Sequence, residues 1–248
     1  WQAVGSGPIS PEHRARFFKV IGMEVPPEAG IPVSWGEYAR KELSLPQEIA
    51  EATDELLVNA RERPWKRGEF PRIATWLDEQ EDRFKLIAVA ARKERFFQPL
   101  LLMPDEPLVN AELPHAMLGR EFTRGLQARA MLHVGEGRFE AALDDIETIR
   151  RLARHIGAGS TMLENLIGGV MESMACQGYV AVVQHQRPAP QAAAKLLAWF
   201  DKMGPMPKLC DSLDVGERFI FLQTAQDMAR LGPGGLRLTA WTGSQTTH

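Results

Sequence analysis

LHVGEGRFEAALDDIETIRRLARHIG, residues 132–157, decides the fold class of this chain. Phe139, Ala142, Leu143, Ile146, Ile149, Leu152 and Ile156 recur at three- and four-residue intervals, the spacing that collects apolar side chains on one side of a helix. The opposite side is charged. Glu147 stands three and four residues before Arg150 and Arg151, close enough to pair with either on a solvated helix surface. Gly135-Glu136-Gly137 precedes the run, and from about Pro114 Leu118, Phe122, Leu126 and Ala130 repeat every four residues. Two amphipathic helices joined through a glycine turn make a helical hairpin.

Working outward, the same periodicity continues in both directions. Thr161 with Glu164 forms a capping box, and the apolar run behind it reaches about Gln184. That run has the length of a membrane span, but Glu164, Asn165 and Glu172 interrupt it, so it reads as a buried helix of the core and no membrane span is expected in the chain. After the turn Gln186-Arg187-Pro188, a shorter helix is expected over 190–204, a last one from about Ser212 to Arg230, and then a tail. Upstream, residues 11–22 can form a short helix ahead of a Pro- and Gly-rich loop over 23–34. A helix over 44–63 opens with Ser44 and Gln47 as its cap and stops at Pro64. Two apolar clusters follow, Ile73, Trp76 and Leu77, then Phe84, Ile87, Ala88 and Ala91, and Gln98–Pro107 is a loop. No alternating run bounded by hairpin turns suggests a sheet.

A chain of 248 residues can bury roughly three-quarters of its unfolded surface and needs no disulfide or metal staple. The net charge of -3 argues against a nucleic-acid partner, which calls for a basic excess on one face. Cys176 and Cys210 lie far apart in sequence and belong to no CxxC motif; they leave a disulfide open and the compartment undecided.

Gly137-Arg138-Phe139-Glu140-Ala141-Ala142-Leu143 resembles the middle of a tetratricopeptide repeat, with Gly in the inter-helix turn, an aromatic two residues on, and a small Ala where helices approach. The resemblance covers about 116–156. A looser second hairpin lies around Arg187-Pro188-Ala189-Pro190, with Ala192, Ala193, Leu196 and Leu197 after it. WQAVG, RARFFKVIGMEVPP, RPWKRGEFPRIATWL, QARAMLHVGEGRFEAALDDI and DVGERFIFL together resemble uncharacterised helical proteins of planctomycete-type bacteria. This second resemblance implies a hydrophobic anchor upstream of Trp1 and a protein that is exported or membrane-tethered; it carries over no catalytic residue.

Chemistry is sparse. Glu172 sits among apolar and small neighbours in GGVMESMACQG, and a buried carboxylate demands a partner. It is either an acid/base, or a metal ligand with Glu164 and a histidine, or it points to the polar side of its helix or meets an arginine from the 120–130 or 150–154 helices. Arg120 and Arg124, with Gln127, form one polar stripe, and Arg150, Arg151 and Arg154 another; together they are candidates for binding a phosphate, a carboxylate or an acidic peptide. Asp144, Asp145 and Glu147 lie close enough to neutralise much of that field. His13, His115, His133, His155, His185 and His248 show no metal-ligand spacing; His133 and His155 can meet across the hairpin only in a suitable register. Neither Gly135-Glu136-Gly137 nor Gly232-Pro233-Gly234-Gly235 is a phosphate loop, and no nucleophile motif occurs. No metal and no cofactor is expected.

The expectation is an all-α chain of about eight or nine helices, stacked as antiparallel hairpins into a tetratricopeptide-like short solenoid or bundle. Residues 1–107 supply N-terminal helices with Pro-rich loops, continuous with a hairpin region over 108–230 and followed by a tail over 231–248. The expected function is a non-enzymatic scaffold that binds a protein or peptide partner. The alternatives are a helical enzyme using Glu172 as acid or base, and a purely structural part of a larger anchored protein.

Overall fold

A computed structural model describes residues 33–41, 54–97, 107–111, 113–186 and 203–231, with isolated positions at 15, 18, 19, 22, 24, 44, 100, 194, 197, 198, 200 and 201. Every regular element among them is helical. In chain order they are α1 (Trp35–Lys41), α2 (Asp54–Glu62), α3 (Pro71–Glu79), α4 (Glu81–Ala91), α5 (Pro114–Gly135), α6 (Phe139–Gly157), α7 (Met162–Gln186), α8 (Leu209–Ser212) and α9 (Arg218–Leu231). A 3-10 turn occupies Leu108–Asn110, and a π-helical turn, Leu213–Glu217, joins α8 to α9. Gln47 of the expected cap, most of the helix over 11–22, most of the loop over 23–32, the loop over 101–106, the turn at 187–190 and the tail from 232 lie outside the described residues. The described positions of the 190–204 stretch are helical from 194 to 203.

The hairpin expected around Gly137 is present, and its turn has a definite mechanism. Gly137 takes φ +76°, its N–H donates to the Val134 carbonyl, and the Arg138 N–H donates to the His133 carbonyl. This is the Schellman arrangement, in which a left-handed residue satisfies the last carbonyls of one helix and reverses the chain. Ala142 is fully buried and Phe139 packs against the core.

Three helices, α5, α6 and α7, pack against one another, with α2 on α5 and α4 on α6. α5 is therefore buried on several sides, with Phe122, Leu126, Ala128, Ala130 and Met131 all inaccessible. Small residues set how closely these helices approach. A Cβ on Gly168 of α7 would stand 2.6 Å from both the Ala153 carbonyl oxygen and the Gly157 Cα of α6.

The N-terminal helices are tied to this group by an aromatic anchor. The Trp65 indole N–H donates to the Ala128 carbonyl at 3.2 Å, and the Trp65 backbone lies against Gly135, where a Cβ would overlap its carbonyl oxygen. Trp76 stacks edge-on to Trp35 and donates to the Val33 carbonyl at 2.9 Å. At the other end, Gly216 in the π turn lies on the Ser160 carbonyl, again with no room for a side chain.

One expectation needs correction. The helix behind Thr161 is not buried all round: α7 puts Met171, Ala175, Tyr179 and Val182 into the core, but leaves Met162, Leu163, Leu166, Val170, Val180 and Val183 exposed. By length and composition Met162–His185 could cross a membrane, yet one side of it is committed to α5 and α6.

Candidate functional site

Glu172 leaves the polar side of α7 and meets α6. Arg150 Nε donates to its Oε1 at 2.6 Å, and Arg154 Nη1 donates to its Oε2 at 2.9 Å. Arg154 also donates to the Gly204 carbonyl at 2.9 Å, and the Arg150 guanidinium lies 4.0 Å from the centroid of the Phe200 ring. Phe200 in turn packs on Tyr179, whose phenol burial pushes well above its ordinary value. A carboxylate shared by two guanidiniums offsets the cost of removing all three charges from water. Among the readings open to Glu172 in the sequence, the arginine partnership is the one these contacts show.

The five arginines grouped as candidates for binding do not share one partner. Arg120 is exposed, Arg124 pairs with Glu121 on its own helix, and Arg151 pairs with Glu147. Only Arg150 and Arg154 converge, and they converge on Glu172.

Among the described residues, titratable groups line two cavities considered in turn. The first, about 460 Å³, lies between Phe96, Phe97 and Leu100, the α6–α7 turn and α8, and Glu164 forms part of its wall. Glu164 completes the expected capping box: the Thr161 N–H donates to Oε2 at 2.9 Å, and the Glu164 N–H donates to Thr161 Oγ1 at 3.2 Å. Its other oxygen lies 2.6 Å from His115 Nε2, with both side chains inaccessible to solvent. Burial works against this carboxylate, but the His115 and Thr161 hydrogen bonds outweigh it and hold it below the ordinary carboxylate range. The pair ties the start of α5 to the start of α7. Glu164 and Glu172 thus turn to different helices and share no site.

The second cavity, about 490 Å³, opens beside the hairpin turn. Arg129 holds Asp145 through two hydrogen bonds, 3.0 and 2.6 Å, and reaches Glu81 of α4 at 2.5 Å. Burial pushes the Asp145 carboxyl up to about 6 against the pull of Arg129. His133 Nε2 stands 3.6 Å from Asp145, and its buried Nδ1 has no partner among the described residues. Burial, then Arg138, Arg129 and Arg67, depress the imidazole to about 4. His155 lies at the far end of α6, about 24 Å from the turn, and its ring bonds the Ala91 carbonyl; the two histidines do not meet.

The chain matches no known family model, no curated protein and no solved structure.

The exposed side of α7 is the remaining candidate. Met162, Leu166, Gly169, Ser173, Cys176, Val180 and Val183 alternate at four- and three-residue spacing, and all seven are exposed. No Asp, Glu, Lys or Arg lies on that side between Met162 and Gln186. Nothing stands within 4 Å of a Cβ built on Gly169, in contrast to its neighbour Gly168. Leu213 and Val215 of the π turn are exposed as well, beside the start of α7, where Glu217 accepts from the Met162 N–H at 2.8 Å. Sequence reasoning found the core side of α7 and missed this one. The signal was present, as a second row at heptad spacing in a helix already rich in apolar residues.

Proposed function

We propose that the chain is a non-enzymatic helical-hairpin scaffold, tetratricopeptide-like over 116–156, that binds a helix of a protein partner on the exposed side of α7. The observation that carries this reading is that Leu166, Val170 and Val180 are each more than half exposed on a helix whose opposite side is core. Contiguous apolar surface of this kind marks an interaction site, and a row at heptad spacing suits the knobs of a second helix. The glycine turn at Gly137 and the mutual packing of α5, α6 and α7 support the hairpin-repeat part. A stack of hairpins that ends on an apolar side needs a cover.

The enzyme alternative loses its main support, because Glu172 is held by Arg150 and Arg154 and lines neither cavity. The purely structural alternative leaves the α7 row without a role.

The test is photocrosslinking in cells that make the protein, from a reactive side chain placed at Leu166 or Val180, with Arg120 of α5 as control. Adducts of defined mass are expected at the first two positions and are lost on Val170→Glu. Equal labelling at Arg120, or none at Leu166 and Val180, refutes the docking reading.

A further inference from the structure

We infer that the first cavity binds a free α-amino acid with a large apolar side chain, its ammonium group toward Asp211 and the wall carboxylate of Glu164, its carboxylate toward Lys208. A cavity of about 460 Å³ falls in the range of small-molecule sites, which are mostly apolar with a few convergent polar groups. Here Phe97, Leu100, Pro207 and Val215 supply the apolar part of the lining, and the polar part carries both signs of charge. The site does not rest on the docking of a helix along α7, since neither Leu166 nor Val180 lines the cavity.

The charges of this cavity are not paired with one another. The three guanidiniums lining the second cavity are each held by a carboxylate, Arg67 by Asp78, Arg129 by Asp145 and Arg138 by Glu136. In the first cavity, Lys208 and Asp211 stand three positions apart at the start of α8, a spacing at which opposite charges can meet. They form no ion pair with each other or with any other described residue. The Asp211 carboxylate accepts only from the Cys210 thiol, at 3.7 Å, and the Ser160 hydroxyl in the same wall bonds none of the described residues. Two opposite charges held apart beside an apolar wall suit a zwitterion. A ligand with a positive group alone would meet Lys208, and one with a negative group alone would meet Asp211 and Glu164, each at a cost of like-charge repulsion.

Backbone and buried groups build the two walls. Hydrogen bonds from His115 and Thr161 keep the Glu164 carboxylate in its charged form, which favours a cation nearby. A Cβ on Gly159 would overlap the Glu164 carboxyl, so only glycine fits over it. The other wall includes Val215 of the π-helical turn. A π turn re-aims the side chains around it, and such turns collect at functional sites. Gly216 of that turn is seated on the Ser160 carbonyl, while Val215 stays more than half exposed in the lining.

Titration of the full chain with L-phenylalanine to about 20 mM, followed by proton–nitrogen correlation spectra, should shift the amides of Ala158, Gly159 and Ser160 in a saturable way. Glycine, which has the charges without the side chain, should leave them in place. Phenethylamine lacks the carboxylate and hydrocinnamate lacks the ammonium, and each should bind about tenfold more weakly than phenylalanine. Lys208→Ala should bring phenylalanine down to the level of phenethylamine without weakening phenethylamine itself. Asp211→Ala should bring phenylalanine toward hydrocinnamate without weakening hydrocinnamate. Both positions are exposed, so both variants should keep the circular dichroism of the parent. Val215→Trp and Ala158→Trp, which narrow the cavity from different walls, should abolish binding. Phenylalanine that leaves the three amides unmoved, or binds no more tightly than glycine or its two analogues, overturns the inference. So does Lys208→Ala weakening phenethylamine as much as phenylalanine, or binding unchanged in both tryptophan variants.

Discussion

Acidification should move His133 and Asp145 in opposite directions, and the two effects can be separated. His133 titrates at about 4 in the fold against an ordinary 6.5. Between those values the unfolded chain takes a proton that the folded chain refuses. Stability from His133 is complete above 6.5 and is lost as pH falls to 4. Asp145 titrates at about 6 in the fold against an ordinary 3.8. Here the folded chain takes the proton first, so its contribution is complete below 3.8 and is lost as pH rises through 6. At about 1.4 kcal/mol per pH unit, the His133 contribution amounts to roughly 3 kcal/mol, and that of Asp145 has the opposite sign over nearly the same window.

His133→Gln removes one side of this balance and Asp145→Asn the other. Urea unfolding of parent and variants at steps between pH 7.5 and 4, with constant slope in denaturant, reads the difference and removes the background of all other carboxylates. Relative to parent, His133→Gln should gain roughly 3 kcal/mol of stability on going from pH 7 to 4, and Asp145→Asn should lose stability over the same interval. If the His133 variant follows the pH dependence of the parent, or the Asp145 variant shows the opposite sign, the desolvated state assigned to this cavity is wrong.

Adjacent glycines should respond in opposite ways. Gly168→Ala should cost about 1–3 kcal/mol, because its Cβ meets α6 backbone at 2.6 Å and no rotamer relieves it. Gly169→Ala has open space and should stabilise by up to about 1 kcal/mol from helix propensity alone; thermal unfolding of dilute protein compares them. Glu172→Ala leaves two largely buried guanidiniums without their carboxylate and should cost about 3–5 kcal/mol, read from the denaturant midpoint. Glu164→Ala strands His115 and the Thr161 N–H at a cost of about 3 kcal/mol, with a smaller loss for Glu164→Gln in the same assay.

Much of the fold was legible because helix formation and capping are local. The three-to-four spacing from Phe139 to Ile156, the glycine turn at 137 and the Thr161–Glu164 box each depend on residues within one or two turns, and each is present. So was the demand that Glu172 find a partner, since a carboxylate among small apolar neighbours cannot remain alone. The helix at Trp35–Lys41 was not read, because its burial depends on Trp76, forty residues away.

What the residues settled alone is which segments coil and which of their sides are apolar. What only the tertiary arrangement decided is which of those sides are used. His115 found Glu164 across forty-nine positions of sequence, Arg129 joined Glu81 to Asp145, and Arg150 and Arg154 converged on Glu172. α7 has apolar residues on two sides, and its own sequence gives neither priority. The small residues at Gly168, Ala175 and Gly178 let one side close on α6 and the core, and the row through Leu166 and Val180 was left outside because packing density, unlike periodicity, is a property of the neighbours that arrive.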